Sequence, residues 1–371
     1  MSSPNNVFLK EMLWNRDDIF IYFYTMINLT YMKLKALLLI SVFAGFILFS
    51  SCGNESTNSN NVTSDSLKSK VPAELAKLNE QIAADPKNAD LYHNRAKYYL
   101  EKRNFDAGFE DMRQVMTIDS FKAEYFITLS DLYFVTNQTG NSKSSLEKCL
   151  SLDDKNVDAM MKLAELYFYV KKHDKCFEYL NMALKIDKYN SKAYFMKGMN
   201  YKELKDTAKA ISSMQTAVEQ DQTYFNAYVQ LGLLNAAQKN PIAINYYKNA
   251  LKIQPNSPEV WYAVGKFYQD VENWDKAIET YNALLELEPK NKNANYNLGG
   301  IFMVGKKDYK KSLEYFTQAL TIDPAYVDAY YGRGICYQTM GDKKNAVVDF
   351  KTCLTINPQH EAATKALEGI N

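Results

Sequence analysis

The 371-residue chain is poor in the residues that break regular structure, with 14 glycines and 9 prolines over its whole length. It also has only 3 histidines and 5 cysteines, and its formal net charge is +1. Each scarcity excludes something. Few breakers beside abundant Leu, Ala, Lys and Glu favour helix over a turn-rich β architecture. A near-neutral balance, with no segment that concentrates its lysines, excludes a surface that tracks nucleic-acid phosphates. His93, His173 and His360 are far apart and no pair has the i, i+4 spacing of a helical metal site, so no metal is expected. There is no Gly-x-Ser-x-Gly elbow and no phosphate-binding glycine loop, because Gly305-Lys306-Lys307 falls at a turn between two helices. The expectation is a protein with no catalytic residues and no cofactor. With 23% charged and 47% hydrophobic residues, the chain is nonetheless not disordered throughout.

The first seventy residues read as an address and a tether. Met32-Lys-Leu-Lys precedes an apolar run from Ala36 to Phe49, then Ser50-Ser51-Cys52. Two lysines, an apolar stretch too short for a comfortable membrane span, and small residues at a cleavage point make residues 32–51 a secretory signal. The cysteine after Ser-Ser resembles the lipobox of bacterial lipoproteins. That resemblance implies that Cys52 is lipidated and becomes the mature N-terminus, although Phe49 stands where the family prefers an aliphatic residue. Residues 1–31 place Asp17, Asp18 and an apolar stretch ahead of a complete signal, so synthesis is expected to start at Met32. Residues 52–70, rich in Asn, Ser and Thr, cannot bury a core and read as a flexible tether. Gly53 follows the cysteine, not the aspartate that marks inner-membrane retention in enteric lipoproteins, which points to the outer membrane, facing either periplasm or surface.

From residue 71 a fixed period takes over. Tyr99, Tyr133, Tyr167 and Tyr201 are 34 residues apart. Pro255, Pro289, Pro324 and Pro358 keep the same clock with one insertion. The period defines eight units: 89–122, 123–156, 157–190, 191–224, 225–257, 258–291, 292–326 and 327–360. Their eighth slot is small in every unit (Ala96, Ser130, Ala164, Gly198, Gly232, Gly265, Gly299, Gly334), as is the twentieth, from Gly108 to Ala346. Glycine inside a helix costs about 1 kcal/mol against alanine, so its recurrence signals helices too close for a side chain. The fourth, seventh and eleventh slots supply bulky apolar knobs. Leu75, Leu78 and Ile82 match a second helix without its first, and Glu361–Ile370 matches a shortened first helix.

The sixth unit, with Trp261, Val264, Gly265, Tyr268, Ala277, Tyr281 and Pro289, resembles the tetratricopeptide repeat. The resemblance recurs through about 270 residues. It implies an all-α, right-handed superhelical solenoid of about eight helix pairs, closed by terminal capping helices, over residues 71–371. It implies protein or peptide partners and no enzyme activity. The carboxylate clamp known in some members is not expected. Its fifth-slot lysine is missing, and the ninth slots begin Lys97, Asp131, Glu165, Met199 without asparagine.

In the resembling family a second stripe of the first helix, at slots two, five, nine and twelve, lines the concave surface. Here that stripe is apolar: Ile127 and Phe134, Met161 and Phe168, Phe195 and Met199, Val229 and Leu233, then Tyr262, Tyr296 and Met303, Tyr331 and Ile335. These thirteen residues form the candidate partner groove. Equally, the fifth-slot aromatics could serve only to buttress their own repeats. The expected function is a scaffold or adaptor of the cell envelope, in a chain whose Lys/Asn/Tyr-rich composition resembles Bacteroidetes proteins. The alternative is a self-associating structural subunit of a secretion or motility assembly. Of the remaining cysteines, Cys149, Cys176 and Cys353 occupy small buried slots, and a Cys336–Cys353 disulfide stays open.

Overall fold

A computed structural model describes residues 72–370 of the chain. The signal, Cys52 and the tether lie outside the described residues. Those residues hold 18 α-helices and no strand. In chain order they are α1 (Ala73–Ala84), α2 (Ala89–Glu101), α3 (Phe105–Ile118), α4 (Ala123–Val135), α5 (Thr139–Leu152), α6 (Val157–Tyr169), α7 (His173–Ile186), α8 (Ser191–Glu203) and α9 (Thr207–Gln220). They continue with α10 (Phe225–Ala237), α11 (Ala243–Ile253), α12 (Pro258–Asp270), α13 (Trp274–Leu287), α14 (Lys292–Val304), α15 (Tyr309–Ile322), α16 (Val327–Thr339), α17 (Lys343–Ile356) and α18 (Glu361–Glu368). From α2 onward an odd helix follows an even one in each repeat; we call them the A and B helices. The described residues divide into two compact units, one ending at Ala294 and the other beginning at Asn295.

The period sets where each helix starts and stops. Asn88, Asn156 and Asn190 cap A helices, Asn156 and Asn190 accepting from the backbone N–H three residues on at 2.9 Å. Asn104, Asp206, Asn273, Asp308 and Asp342 do the same for B helices. Each such cap contributes about 1 kcal/mol. The tyrosine clock has a backbone reason of its own. The carbonyls of Tyr99, Tyr133, Tyr167 and Tyr201 accept at 2.7–2.9 Å from the N–H five residues on, closing each A helix in a Schellman turn. The residue inside that turn is left-handed in seven non-glycine cases, Arg103, Asn137, Lys171, Lys205, Lys239, Glu272 and Lys307, and in Gly341.

In the unit ending at Ala294, the core is a series of clusters that each bridge successive helix pairs. Ala89, Ala96, Met112, Val115, Tyr125 and Leu132 form the first, and the last gathers Met214, Leu231, Tyr247, Val260 and Phe267. The unit beginning at Asn295 has its own clusters, around Phe316 with Met303, Ala329 and Cys336, and around Phe350 with Tyr331, Cys353 and Ala363. The close approach at the eighth slot is real, and it has a specific cause. A Cβ built on Gly232, Gly265 or Gly334 would lie 2.3–2.7 Å from the ring of Tyr247, Tyr281 or Phe350 of its own B helix. The eighth-slot glycines therefore make room for the twenty-fourth side chain, more than for the small twentieth slot. Cys336 and Cys353 are both free and buried, and Cys336 Sγ lies 3.2 Å from the Ser312 hydroxyl, so no disulfide joins them.

The first and last repeats share a device that the middle ones lack. Arg95 grips the buried Asp111 with two hydrogen bonds of 2.8 and 2.6 Å and reaches Asn79 of the capping helix at 2.7 Å. Arg333 repeats this with Asp349 and Thr317. Each carboxylate raises its arginine further above the ordinary value. A two-point clamp on a buried carboxylate fixes A against B at those repeats.

Candidate functional site

α4 reads AEYFITLSDLYFV and is apolar around most of its circumference. Its neighbours cover Tyr125, Phe126, Thr128, Ser130 and Leu132. What they leave uncovered gathers at its C-terminal end, where Phe134 is 37% and Val135 46% exposed. The next A helix, α6, ends the same way, with Tyr169 63% and Val170 53% exposed. The two ends meet: the Phe134 and Tyr169 rings lie 5.9 Å apart, with the half-buried Phe168 beside Tyr169 at 6.5 Å. Aromatic rings paired on the surface beyond what the core needs form a patch with a use. Asp131 and Glu165, one turn earlier, border it; Asp131 pairs with Lys162 at 2.7 Å.

The thirteen stripe residues divide on burial. Met161, Val229, Met303 and Tyr331 are at most 5% exposed, so they belong to the core and present no surface to a partner. For Met161, Val229 and Tyr331 the reason is that the fifth slot faces the B helix of its own repeat as well as the groove. Tyr262, Tyr296 and Tyr331 each pack on the twenty-fourth ring, on Tyr281, Phe316 and Phe350, at 5.7–5.9 Å. Ile127, Phe168, Phe195, Met199, Leu233, Tyr262, Tyr296 and Ile335 are half-buried, and Phe134 is exposed. Val135, Tyr169 and Val170 were missed because they fall one or two slots past the stripe, at the end of the A helix. The run Leu-Tyr-Phe-Tyr-Val at 166–170 was the available signal.

The chemistry elsewhere is structural. His93 is buried, its Nε2 2.8 Å from the Thr128 hydroxyl, and burial pulls its pKa down to about 4. His173 Nδ1 sits 2.6 Å from Asn200 Oδ1, and His360 accepts the Ala363 N–H as a helix cap. Burial pushes the thiols of Cys149, Cys336 and Cys353 up to about 11 and Cys176 up to about 12, the reverse of an activated nucleophile. A cleft of about 320 Å³ opens between Asp85, Asp90, Asp119 and Lys122. Its polar groups are spent on one another: Lys122 and the Tyr125 hydroxyl donate to Asp90, and Asp119 accepts from the Phe121 N–H. Among the described residues, no group of three acidic, histidine or cysteine side chains could hold a metal. No helix among them is long and apolar enough to cross a membrane.

Comparison with known proteins decides the family. Tetratricopeptide repeat models match residues 89–121, 123–156, 191–224, 265–327 and 327–360, together more than half of the chain. The chain belongs to the tetratricopeptide repeat family. A solved structure of the C-terminal part of a TPR repeat-containing protein from Cytophaga hutchinsonii is similar, with 20% identity and a TM-score of 0.57, over 64% of this chain and 98% of that one. This likeness shows the fold. Protein bimA of Emericella nidulans is 28% identical over 123 residues, 33% of this chain. A UDP-N-acetylglucosamine--peptide N-acetylglucosaminyltransferase of Giardia intestinalis is 31% identical over 87 residues, 24% of this chain. The chain spans 15% and 6% of those two relatives, so what is shared is the repeat. Proteins built of these repeats mediate protein–protein interaction.

Proposed function

We propose that this protein is a lipid-anchored, non-catalytic scaffold of a bacterial cell envelope that holds a segment of a partner protein on its A helices. The observation that carries the reading is the paired aromatic surface at the ends of α4 and α6, where Phe134 and Tyr169 stay exposed although α4 buries Tyr125 and Phe126 and the remaining rings of both helices are half-buried. Flat rings flanked by Ile127, Val135 and Phe168 suit a peptide with large apolar side chains, and the fold needs none of that exposure. The anchor part of the proposal rests on Met32–Cys52 alone: a basic start, an apolar run, and a cysteine after two small residues. In this proposal the repeats follow the lipid-bearing cysteine after the polar segment that starts at Gly53.

The test has two arms. Peptides selected from a displayed library on the wild-type protein should bind at least ~10-fold more weakly to Phe134→Ser/Tyr169→Ser, a loss of roughly 1.4 kcal/mol, with an unchanged melting curve. Selected peptides that bind the double variant equally would overturn the groove. Radiolabelled palmitate should enter the wild type and not Cys52→Ala, and equal labelling of both would overturn the anchor.

A further inference from the structure

Rings near the ends of the A helices are repeatedly faced by one of the chain's own cations. Lys209, Lys276 and Lys311, each in the first turn of the following B helix, lie over Tyr201, Tyr268 and Phe302 at 5.4, 5.4 and 4.5 Å from the ring centre. Lys102 covers Tyr98 in the same way at 5.5 Å. The face of an aromatic ring is electron-rich and attracts a cation within about 6 Å. Phe134 and Tyr169 depart from this pattern. Both rings are exposed and tilted by 43° to each other, and among the described residues no cation lies over either, although Lys171 and Lys172 follow Tyr169 in the chain. What stands beside them is negative. Glu165 precedes Tyr169 by four residues on α6 and Asp131 precedes Phe134 by three on α4, so each carboxylate shares a helix face with a ring. Asp131 is taken by Lys162, whereas the half-buried Glu165 makes no ion pair among the described residues. Burial pushes the Lys162 ammonium down, but Asp131, Asp158 and Glu165 outweigh it and hold that group above the ordinary lysine range. Three carboxylates against one ammonium leave a surplus of negative charge. Burial, and then Glu165, raise the Tyr169 hydroxyl.

We infer that the exposed corner of Phe134, Tyr169 and Glu165 is a subsite for a cationic side chain of the partner segment, an arginine set among large apolar residues. The inference rests on the groove reading above and names the chemistry that fills the groove. A guanidinium is planar and weakly hydrated, so it stacks on a ring face while its edge N–H groups donate to a carboxylate. Here the tilted rings offer the faces and Glu165 the acceptor, and the exposed Val135 and Val170 offer apolar surface to the residues on either side. A lysine ammonium, a strongly hydrated point charge, fits the rings less well. The sign is the reverse of the carboxylate clamp, and a segment rich in Asp and Glu would meet the surplus of like charge. The partner supplies at this corner what Lys209, Lys276 and Lys311 supply to rings elsewhere in the chain.

The test uses the full chain in nonionic detergent and a displayed library of random peptides, with circular dichroism melting as the check on folding. Peptides selected on the wild type should share an arginine at one fixed position. The most enriched peptide is then made with arginine and with citrulline, its uncharged isostere, and both are titrated by fluorescence anisotropy. Citrulline should bind the wild type ~10-fold more weakly, the sum of a stacked cation and a surface ion pair. On Glu165→Gln the same replacement should cost only ~3-fold, because the carboxylate is gone and the rings remain. Tyr169→Leu, which keeps apolar bulk without a ring face, should likewise shrink the gap between the two peptides. Raising salt from about 0.01 to 0.15 M should weaken the arginine peptide and leave the citrulline peptide nearly unchanged. Peptides that lose binding to Phe134→Ser/Tyr169→Ser yet share no arginine would overturn this inference and leave the groove standing. So would an arginine whose replacement by citrulline costs the same on Glu165→Gln as on the wild type. Peptides that bind the double serine variant as tightly as the wild type would overturn the groove and this subsite together.

Discussion

In repeats one to three the eighth slot holds Ala96, Ser130 and Ala164, opposite Met112, Leu146 and Leu180 in the twenty-fourth. In repeats four to six it holds Gly198, Gly232 and Gly265, opposite Met214, Tyr247 and Tyr281. All twelve side chains or glycines are buried, so the two regions fill one fixed space in two ways. Where the B helix supplies a ring, the A helix gives up its Cβ; where it supplies an aliphatic chain, a methyl or hydroxyl fills the remainder. Interiors are packed too closely for either side to change alone. The methionine of repeat four, whose Cγ lies 2.5 Å from a Cβ built on Gly198, stands between the two solutions.

The comparison can be broken most severely at Gly265. A Cβ there would lie 2.7 Å from Tyr281 Cε1, and leucine adds three further atoms, so Gly265→Leu should cost about 3 kcal/mol or more in denaturant unfolding, with damage centred on repeat six. A melting curve like the wild type would put the register wrong. Acid should strike the first repeat next. His93 occupies the fifth slot there, where repeats six to eight place tyrosine, and burial lowers its pKa to about 4. The unfolded chain binds its proton more readily, so this contribution is complete above pH ~6.5 and is lost as pH falls toward 4, by roughly 3 kcal/mol. The His93 proton resonances should titrate near 4, and His93→Phe should flatten the acid limb.

Gly265→Ala is the sharper version of the first test. It should cost about 1–3 kcal/mol alone, while Gly265→Ala/Tyr281→Leu, which copies repeat three into repeat six, should cost less than the sum of its parts by about 1 kcal/mol. Strict additivity would sink the shared-space argument. The two tyrosines can then be set against each other. Tyr281 donates to Gln269 at 3.0 Å, whereas among the described residues no group accepts from the buried Tyr247 hydroxyl. Tyr281→Phe should therefore lose about 1 kcal/mol, and Tyr247→Phe should be neutral or stabilising. The smallest effect is at the turns, where Lys171→Gly should gain about 0.5–1 kcal/mol by relieving its left-handed backbone.

The repeat family, the helix pairs and the small eighth slot were legible because each recurs at a fixed interval, and eight weak signals in phase outweigh any one of them. The partner surface was legible only in part. Slot counting assigned Met161, Val229, Met303 and Tyr331 to the groove, but a slot gives a direction around the helix, not a depth. It overlooked Tyr169 and Val170, because the last turn of α6 projects past the neighbours that would cover it.

By itself, then, the sequence determined the local decisions: Asn and Asp at the caps, proline after the B helices, and an apolar stripe at helical spacing on each A helix. These depend on residues three to five apart, within reach of one turn. Tertiary structure decided what sequence distance conceals. It chose which atom presses on Gly265 and which of thirteen apolar side chains remain at the surface. Those outcomes depend on how one helix pair stacks on the next, and stacking brings together side chains that no window along the chain contains.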